Sequence, residues 1–394
     1  MSTAPVRQQV LVWAEISLAI GSVTSILGMP IIVGALQDGW GYSAEYAGYV
    51  TSIDLAGVLA GSVVTSLMAR RIDWRCYVGA ALALSAAFNS LCAPFHGVVA
   101  LCCLRFAAGV ASGATYASSL TLLSRNPEPA RGFSMLILLQ VLANAIVLAL
   151  FPLLNARWGP GAVFVAIAGA LLASLVVVPL LPGRDSAAKA QMPAHATQHH
   201  RHFAVPLLPA LCLMAVALFY VTIGSYWAYA ERMGIGFGIS MEQVHWLLSA
   251  GVLLSAAACL SARAVARRIG QSRPLLLTLA TLATTLVIHS MVPTPTMFVV
   301  TLAVLQLCWN FIDIFQLGTL AVLDPSGRAA ALVPAAQGAA LAAGPAAAGF
   351  VLGLGKGYSA VLLLAGFTSA LAAVTYAVVH RRYRSESVSV RIAF

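Results

Sequence analysis

About a dozen apolar runs follow one another along the chain, each roughly 18–25 residues long, the length a helix needs to cross the hydrocarbon core of a bilayer. Short polar breaks separate them. Inside lipid every backbone N–H and C=O must be satisfied within its own segment, so runs of this length can persist there only as helices. The spacing predicts spans at 12–36, 46–68, 76–94, 98–123, 132–155, 161–181, 206–230, 242–265, 274–292, 297–322, 329–354 and 358–379. The expected fold is an all-α membrane protein of twelve transmembrane helices. The first run is too long for the apolar core of a signal peptide and no small-residue cleavage site follows it, so it reads as the first span.

Hydrophobic residues make up 60% of the chain and charged residues 9%, yet the net charge is +10. A basic balance can mark a nucleic-acid binder. Here the arginines lie in loops on alternate sides of the spans, not in one patch, which excludes that partner and leaves the lipid bilayer. With the N-terminus inside, 17 Lys and Arg residues fall on the cytoplasmic side and 3 (Arg157, Arg232 and Lys356) on the other, with Arg105 and Arg263 left inside spans. This bias predicts both termini in the cytoplasm of a bacterial-type inner membrane. The seven cysteines, Cys76, Cys92, Cys102, Cys103, Cys212, Cys259 and Cys308, lie in or at the ends of apolar runs without metal-ligand spacing. They read as small buried side chains, not disulfides.

The longest polar break, Pro182 to Phe203, is rich in Ala, His, Gln and Pro and has no apolar period, so it reads as a flexible linker. No Cys or carboxylate joins its His195, His199, His200 and His202 to complete a metal-ligand set, and no metal is expected. The domain expectation is a six-helix bundle at 1–183, a cytoplasmic linker at 184–203, and a second six-helix bundle with a short tail at 204–394. The halves repeat. Shifted by 197 positions, Gly41-Tyr-Ser-Ala-Glu45 falls on Gly238-Ile-Ser-Met-Glu242, and Ala69-Arg-Arg-Ile72 falls on Ala266-Arg-Arg-Ile269. A six-span unit duplicated in parallel is one way to build a secondary transporter, with the substrate site where the halves meet.

In these features the chain resembles the major facilitator superfamily, over nearly its whole length. In the fourth span Arg105-Phe-Ala-Ala-Gly109-Val-Ala-Ser-Gly113 is similar to the family's fourth-helix motif. The loop Arg70-Arg71-Ile72-Asp73-Trp74-Arg75 resembles a degraded form of its basic loop. The family's acidic residue falls at Arg70 and its glycine at Asp73, so no latch role carries over; the second copy keeps Arg268 and Gly270. The glycine-proline motif of family antiporters is missing from Leu136–Asn155, which leans against antiport. A similar string, Gly338 to Gly349 with Gly344-Pro345, stands in the eleventh span. The resemblance implies that spans 1, 4, 7 and 10 line a central cavity.

Charges inside spans are costly and usually face a partner or a cavity. Asp54 lies about eight residues into span 2 and Arg105 about seven into span 4, on the order of 10–12 Å below the outer surface at 1.5 Å per residue. Equal depth predicts an ion pair or a water-bridged pair. It is either a static element that orders the first half, or a working one in which Asp54 takes a proton under the influence of Arg105 or Arg105 binds an anionic substrate. Gly57 and Gly61 share the Asp54 face and allow a close helix neighbour. In span 10, Gln306, Asn310 and Asp313 recur at i, i+4 and i+7 with Trp309 and Gln316 beside them, a stripe expected to line the cavity. Span 4 adds Ser112, Tyr116 and Ser119. Span 7 adds Tyr220, Ser225, Tyr226, Trp227 and Tyr229, divided between cavity and interfacial belt. In span 1, Ser22 and Ser25 lie over Glu15, which either reaches headgroups and basic loops or couples protons. Gln140, Asn144 and Gln337 flank the site, Arg263 snorkels, and His245 and His289 read as wet histidines near the outer ends. The substrate-binding set is Arg105, Ser112, Tyr116, Tyr226, Gln306, Trp309, Asn310 and Asp313; the proton-coupling set is Asp54, Asp313 and Glu15.

The remaining motifs exclude enzymes. Gly355-Lys356-Gly357 lacks the upstream glycine and the following hydroxyl of a phosphate loop, Gly234-Ile-Gly-Phe-Gly238 is a loop opening no nucleotide-binding unit, and neither a nucleophile elbow nor a zinc-protease helix occurs. No cofactor is expected. The expected function is proton-coupled symport by alternating access in a monomer, with uptake of a small aromatic carboxylate that Arg105 would hold bidentately. The alternatives are proton-driven export of hydrophobic drugs through Asp54 or Asp313, and a membrane sensor or lipid-moving protein of the same fold; sensors usually carry an extra soluble domain, which this sequence lacks.

Overall fold

The computed structural model describes residues 4–69, 72–183, 206–270, 272–324 and 328–392, and all regular structure among them is helical. Arg70, Arg71 and the linker histidines His195, His199, His200 and His202 lie outside the described residues, as do the side chains of Cys259 and Arg263. In chain order the helices are α1 (Ala4–Ser22), α2 (Thr24–Leu27), α3 (Met29–Trp40), α4 (Ala44–Met68), α5 (Trp74–Cys92), α6 (Val98–Leu123), α7 (Pro129–Trp158) and α8 (Pro160–Ser174), the last continued by a 3-10 turn at Leu175–Leu180. Then follow α9 (Leu207–Ala228), α10 (Ala230–Gly236), α11 (Met241–Ile269), α12 (Ser272–Met291), α13 (Pro295–Leu323), α14 (Arg328–Gly353) and α15 (Gly357–Ile392). Nine helices among the described residues are long and apolar enough to cross a membrane. The other three expected spans fall on α1–α3, α5 and α11.

Local chemistry sets the breaks. Span 1 splits into three pieces where the Ser22 and Thr24 hydroxyls turn back to the Ala19 and Gly21 carbonyls, at 2.8 and 2.9 Å. Pro30, in the first turn of α3, has no N–H with which to continue the ladder. Asp73, where the family keeps glycine, caps α5 by accepting the Arg75 and Cys76 amides at 3.1 and 3.3 Å. Ser240 and Thr294 cap α11 and α13 in the same way. The glycine-rich string expected as a loop is helical at Gly234 and Gly236, and the chain turns only at Gly238, where φ is 91°.

The repeat is carried by the helices themselves. Helices α4 and α11 begin at Ala44 and Met241, α6 and α13 at Val98 and Pro295, and α8 and α15 at Pro160 and Gly357, each pair 197 residues apart. The chain packs as two units. Unit 1 comprises Met1–Gly41 and Ile53–Phe203; unit 2 comprises Tyr42–Ser52 and Ala204–Phe394. The first turns of α4 therefore pack in unit 2 although they precede the linker.

In unit 1, α4 and α6 meet backbone to backbone. A Cβ on Gly61 would sit 2.8 Å from the Val110 carbonyl carbon, and one on Gly113 2.7 Å from that of Val58, so only glycine permits this approach. In unit 2 the close seam runs elsewhere. A Cβ on Gly224 of α9 would lie 2.6 Å from the Leu341 oxygen, and one on Gly344 of α14 2.6 Å from the Ser225 nitrogen. The glycine-proline string of span 11 is thus a packing face for span 7. The start of α4 is held within unit 2 by the Tyr229 hydroxyl, which donates to the Ala44 carbonyl at 2.6 Å, and by Gly349, whose Cβ would lie 3.1 Å from the Glu45 oxygen.

Candidate functional site

Unit 1 holds a buried ion pair. Arg105 on α6 is 2% exposed and Asp54 on α4 is 6% exposed, and they form a direct ion pair. The second guanidinium arm donates to Asn89 Oδ1 at 2.6 Å, and the guanidinium carbon lies 5.4 Å from the centre of the Phe164 ring. The Ser25 hydroxyl donates to the same Asp54 oxygen at 3.2 Å. Both charges are compensated, and the Asn89 and Ser25 hydrogen bonds add to the pair, as a buried pair needs to offset its desolvation cost. Asn89 and Phe164 escape sequence reasoning. Asn89 is one amide in an apolar span, and its being an intramembrane polar group was the available signal.

The other unit 1 candidates are engaged in packing. The Ser112 hydroxyl pairs with Ser85 at 2.8 Å across α5 and α6. Tyr116 packs against the cluster of Ile16, Ala19, Leu123 and Leu136. Glu15 does not reach headgroups: it is 1% exposed and accepts from the Asn126 amide at 2.7 Å. Ser22 and Ser25 do not serve it, since Ser22 bonds its own helix and Ser25 bonds Asp54.

Unit 2 gathers the span 7 and span 10 residues. Tyr220 on α9 donates its hydroxyl to Asp313 Oδ2 on α13 at 2.7 Å. Asp313 Oδ1 is buried without a hydrogen-bond partner, and no cationic side chain among the described residues pairs with this carboxylate. One turn back on the same face of α13, the Trp309 ring stands edge-on to Trp227 of α9, with centroids 6.0 Å apart and planes at 70°. Asn310 is half-buried. Gln306 and Gln316 are buried, with the Gln306 amide nitrogen and both Gln316 amide atoms unpartnered. Tyr226, Trp227 and Tyr229 lie inside the unit, so the interfacial-belt alternative does not hold for them, and the Tyr226 hydroxyl is likewise unpartnered.

The repeat offset sharpens the contrast between the units. Asp54 and Arg105 correspond to Gly251 and Leu302, whose contact remains: a Cβ on Gly251 would sit 3.5 Å from Leu302 Cγ. Gly109, Gly113 and Tyr116 correspond to Gln306, Asn310 and Asp313. One copy carries a paired charge and a glycine seam, and the other an apolar contact and a polar stripe.

Of the two histidines expected to be wet, His289 is not, while His245 is half-buried. His289 is 0% exposed, its ring 4.7 Å from that of Phe237, and neither ring nitrogen has a partner. His245 bonds Glu231 Oε1 at 2.7 Å, and Arg232 approaches the same oxygen at 3.5 Å. His289 is enclosed by the Phe237 and Phe298 rings, which come from other parts of the chain and which a span boundary read from hydropathy cannot reveal.

The sequence model of the major facilitator superfamily matches residues 16–324. No curated protein matches the chain in sequence. Among solved structures, a mutant of the nucleoside transporter NupG superposes with a TM-score of 0.76 at 11% identity, covering 94% of this chain and 99% of that one. The POT family transporter PepTSo gives 0.74 at 11% identity, over 95% and 98% of the two chains. A bacterial homologue of the human lysosomal transporter Spinster, inward-facing and unoccupied, gives 0.74 at 10% identity, over 96% and 98%. At such identities the likeness is one of fold.

Proposed function

The chain belongs to the major facilitator superfamily, and we propose that this secondary transporter is driven by protons, works by alternating access as a monomer, and uses Asp313 as its exchangeable carboxylate. The carrying observation is that Asp313 lies inside a span with one hydroxyl donor and no cationic partner among the described residues. An ionised carboxylate in that setting is uncompensated, so it rests neutralised by a proton or by a ligand, and a group that must exchange one for the other can couple two fluxes. Asn310 and Trp309 on the same face supply substrate contacts. Glu15, buried and bonded to the Asn126 amide, is the second candidate for the coupling carboxylate.

A second reading rests on the unit 1 pair. A carboxylate substrate could use Arg105 only if Asp54 gave it up, so a proton on Asp54 and an anion on Arg105 would enter together, as symport of the aromatic carboxylate requires. The engagement of Arg105 by Asp54, Asn89 and Phe164 makes this the lesser reading.

The test is accumulation of labelled organic compounds in proteoliposomes with and without a pH gradient. Accumulation is expected only with the gradient, and Asp313→Asn is expected to abolish it while protein yield stays normal. Asn310→Ala should weaken apparent affinity by about 1–3 kcal/mol. Gradient-independent accumulation, or an unaffected Asp313→Asn, would overturn the proposal.

Orientation follows from the arginine bias. Cysteines introduced at Asp38 and Gly236 should react with an impermeant thiol reagent in intact cells, and those at Ala188 and Ser387 should not. Labelling at Ala188 with protection at Gly236 would reverse the topology.

A further inference from the structure

The Asp54 and Asp313 carboxylates differ in where the counter-charge comes from. In unit 1 it is built in: Asp54 has Arg105. In unit 2 the residues at the equivalent positions are Gly251 and Leu302, and Asp313 has only the Tyr220 hydroxyl, with Oδ1 unpartnered. A phenol hydrogen bond lowers the cost of the charge but does not neutralise it. No described residue supplies the compensating charge for Asp313, which leaves a proton or a ligand to bring it.

What surrounds the carboxylate decides its sign and type. Trp309 stands one turn from Asp313 on the same face of α13. Trp227 stands two turns from Tyr220 on α9, and the two indoles meet at 6.0 Å. Indole faces are the strongest aromatic partners for cations, and a carboxylate one turn from such a ring repels an anion. A neutral ligand would leave the proton as the sole group able to neutralise Asp313, with no competition between the two. From these observations we propose that the substrate is a small monovalent organic cation, an arylalkyl ammonium, whose nitrogen pairs with Asp313 and whose ring packs against Trp309 and Trp227. The ammonium and the coupling proton then compete for one carboxylate, so loading one discharges the other. This deepens the proton-driven reading and rests on it only for that competition. It departs from the symport and carboxylate expectations, which rest on a missing span 5 motif and on the Arg105 charge that Asp54 already holds.

Matched probes isolate the charge: benzylamine, benzoate and benzyl alcohol share a ring and differ in sign. Equilibrium binding of labelled benzylamine to the purified full-length protein in lipid nanodiscs needs no gradient. Saturable binding is expected, displaced by unlabelled benzylamine and not by benzoate or benzyl alcohol. Asp313→Asn and Trp309→Ala should each weaken it about tenfold or more, with Trp309→Phe between them and the wild type. No saturable binding, displacement by benzoate, or unchanged affinity in a folded Asp313→Asn overturns the proposal. If Asp313→Asn fails to fold, the graded Trp309 series decides, and equal affinity in Trp309→Ala and the wild type counts against the site. Binding that survives while accumulation ignores the pH gradient refutes the coupling and keeps the cation site. Gradient-driven accumulation of other compounds without benzylamine binding does the reverse.

Discussion

Replacing Asp54 alone with Gly is expected to destabilise the protein by about 3–5 kcal/mol, because it strands the Arg105 guanidinium inside a dry bundle. Replacing Arg105 alone with Leu strands the carboxylate at similar cost. The double variant Asp54→Gly with Arg105→Leu removes both charges and copies the residues that unit 2 carries at the equivalent positions, Gly251 and Leu302. It should regain most of the loss, since replacing a whole buried pair by apolar contact is often neutral. The measurement is a double-mutant cycle on thermal unfolding in detergent, scored together with transport. Two near-neutral single variants, or a double variant no better than the worse single, would remove the pair as a stability element. Recovered stability with lost transport would show that the pair also acts in the cycle.

Gly113→Leu should be comparably damaging, by about 3 kcal/mol or more. Its Cβ would enter the backbone of Val58, with the carbonyl carbon at 2.7 Å and Cα at 2.8 Å, and a helix backbone cannot rotate aside as a side chain can. Gly251→Ala is the control. Its Cβ would meet only side-chain atoms at 3.5–3.8 Å, ordinary contact distances, and a helix-interior glycine replaced by alanine gains up to about 1 kcal/mol of helix propensity. Monodisperse yield and melting temperature separate the two. Equal behaviour would mean that the α4–α6 seam is looser than the glycines imply.

The helices were legible because lipid leaves a chain little choice, and the 197-residue offset located helix starts such as Val98 and Pro295. The Asp54–Arg105 pair was legible from depth alone. Its other partners were not: Asn89 and Phe164 reach Arg105 from separate helices, and no periodicity along one helix encodes which neighbour faces it. Tyr220 was visible as a polar residue, but its bond to Asp313 joins residues 93 apart. His289 departs from its expected wet position for a related reason. Hydropathy places His289 near a span end, while its burial depends on Phe237 and Phe298 arriving from elsewhere in the chain. The breaks in span 1 are written in Ser22, Thr24 and Pro30, which apolar length alone passes over.

The start of α4 has a consequence for biogenesis. Tyr42–Ser52 packs with residues made after the linker, and the Tyr229 hydroxyl that holds the Ala44 carbonyl comes 185 residues later. At translation rates of about 5–20 residues per second, the ribosome needs on the order of ten seconds or more to supply that partner. Through this interval the glycine face of α4 at Gly48 has none of its native neighbours Tyr229, Pro345 and Gly349. A nascent chain in this state is an obvious client for a membrane chaperone. A fragment ending before the linker would keep this face uncovered for its lifetime, so quality-control proteases should clear it faster than the full-length chain.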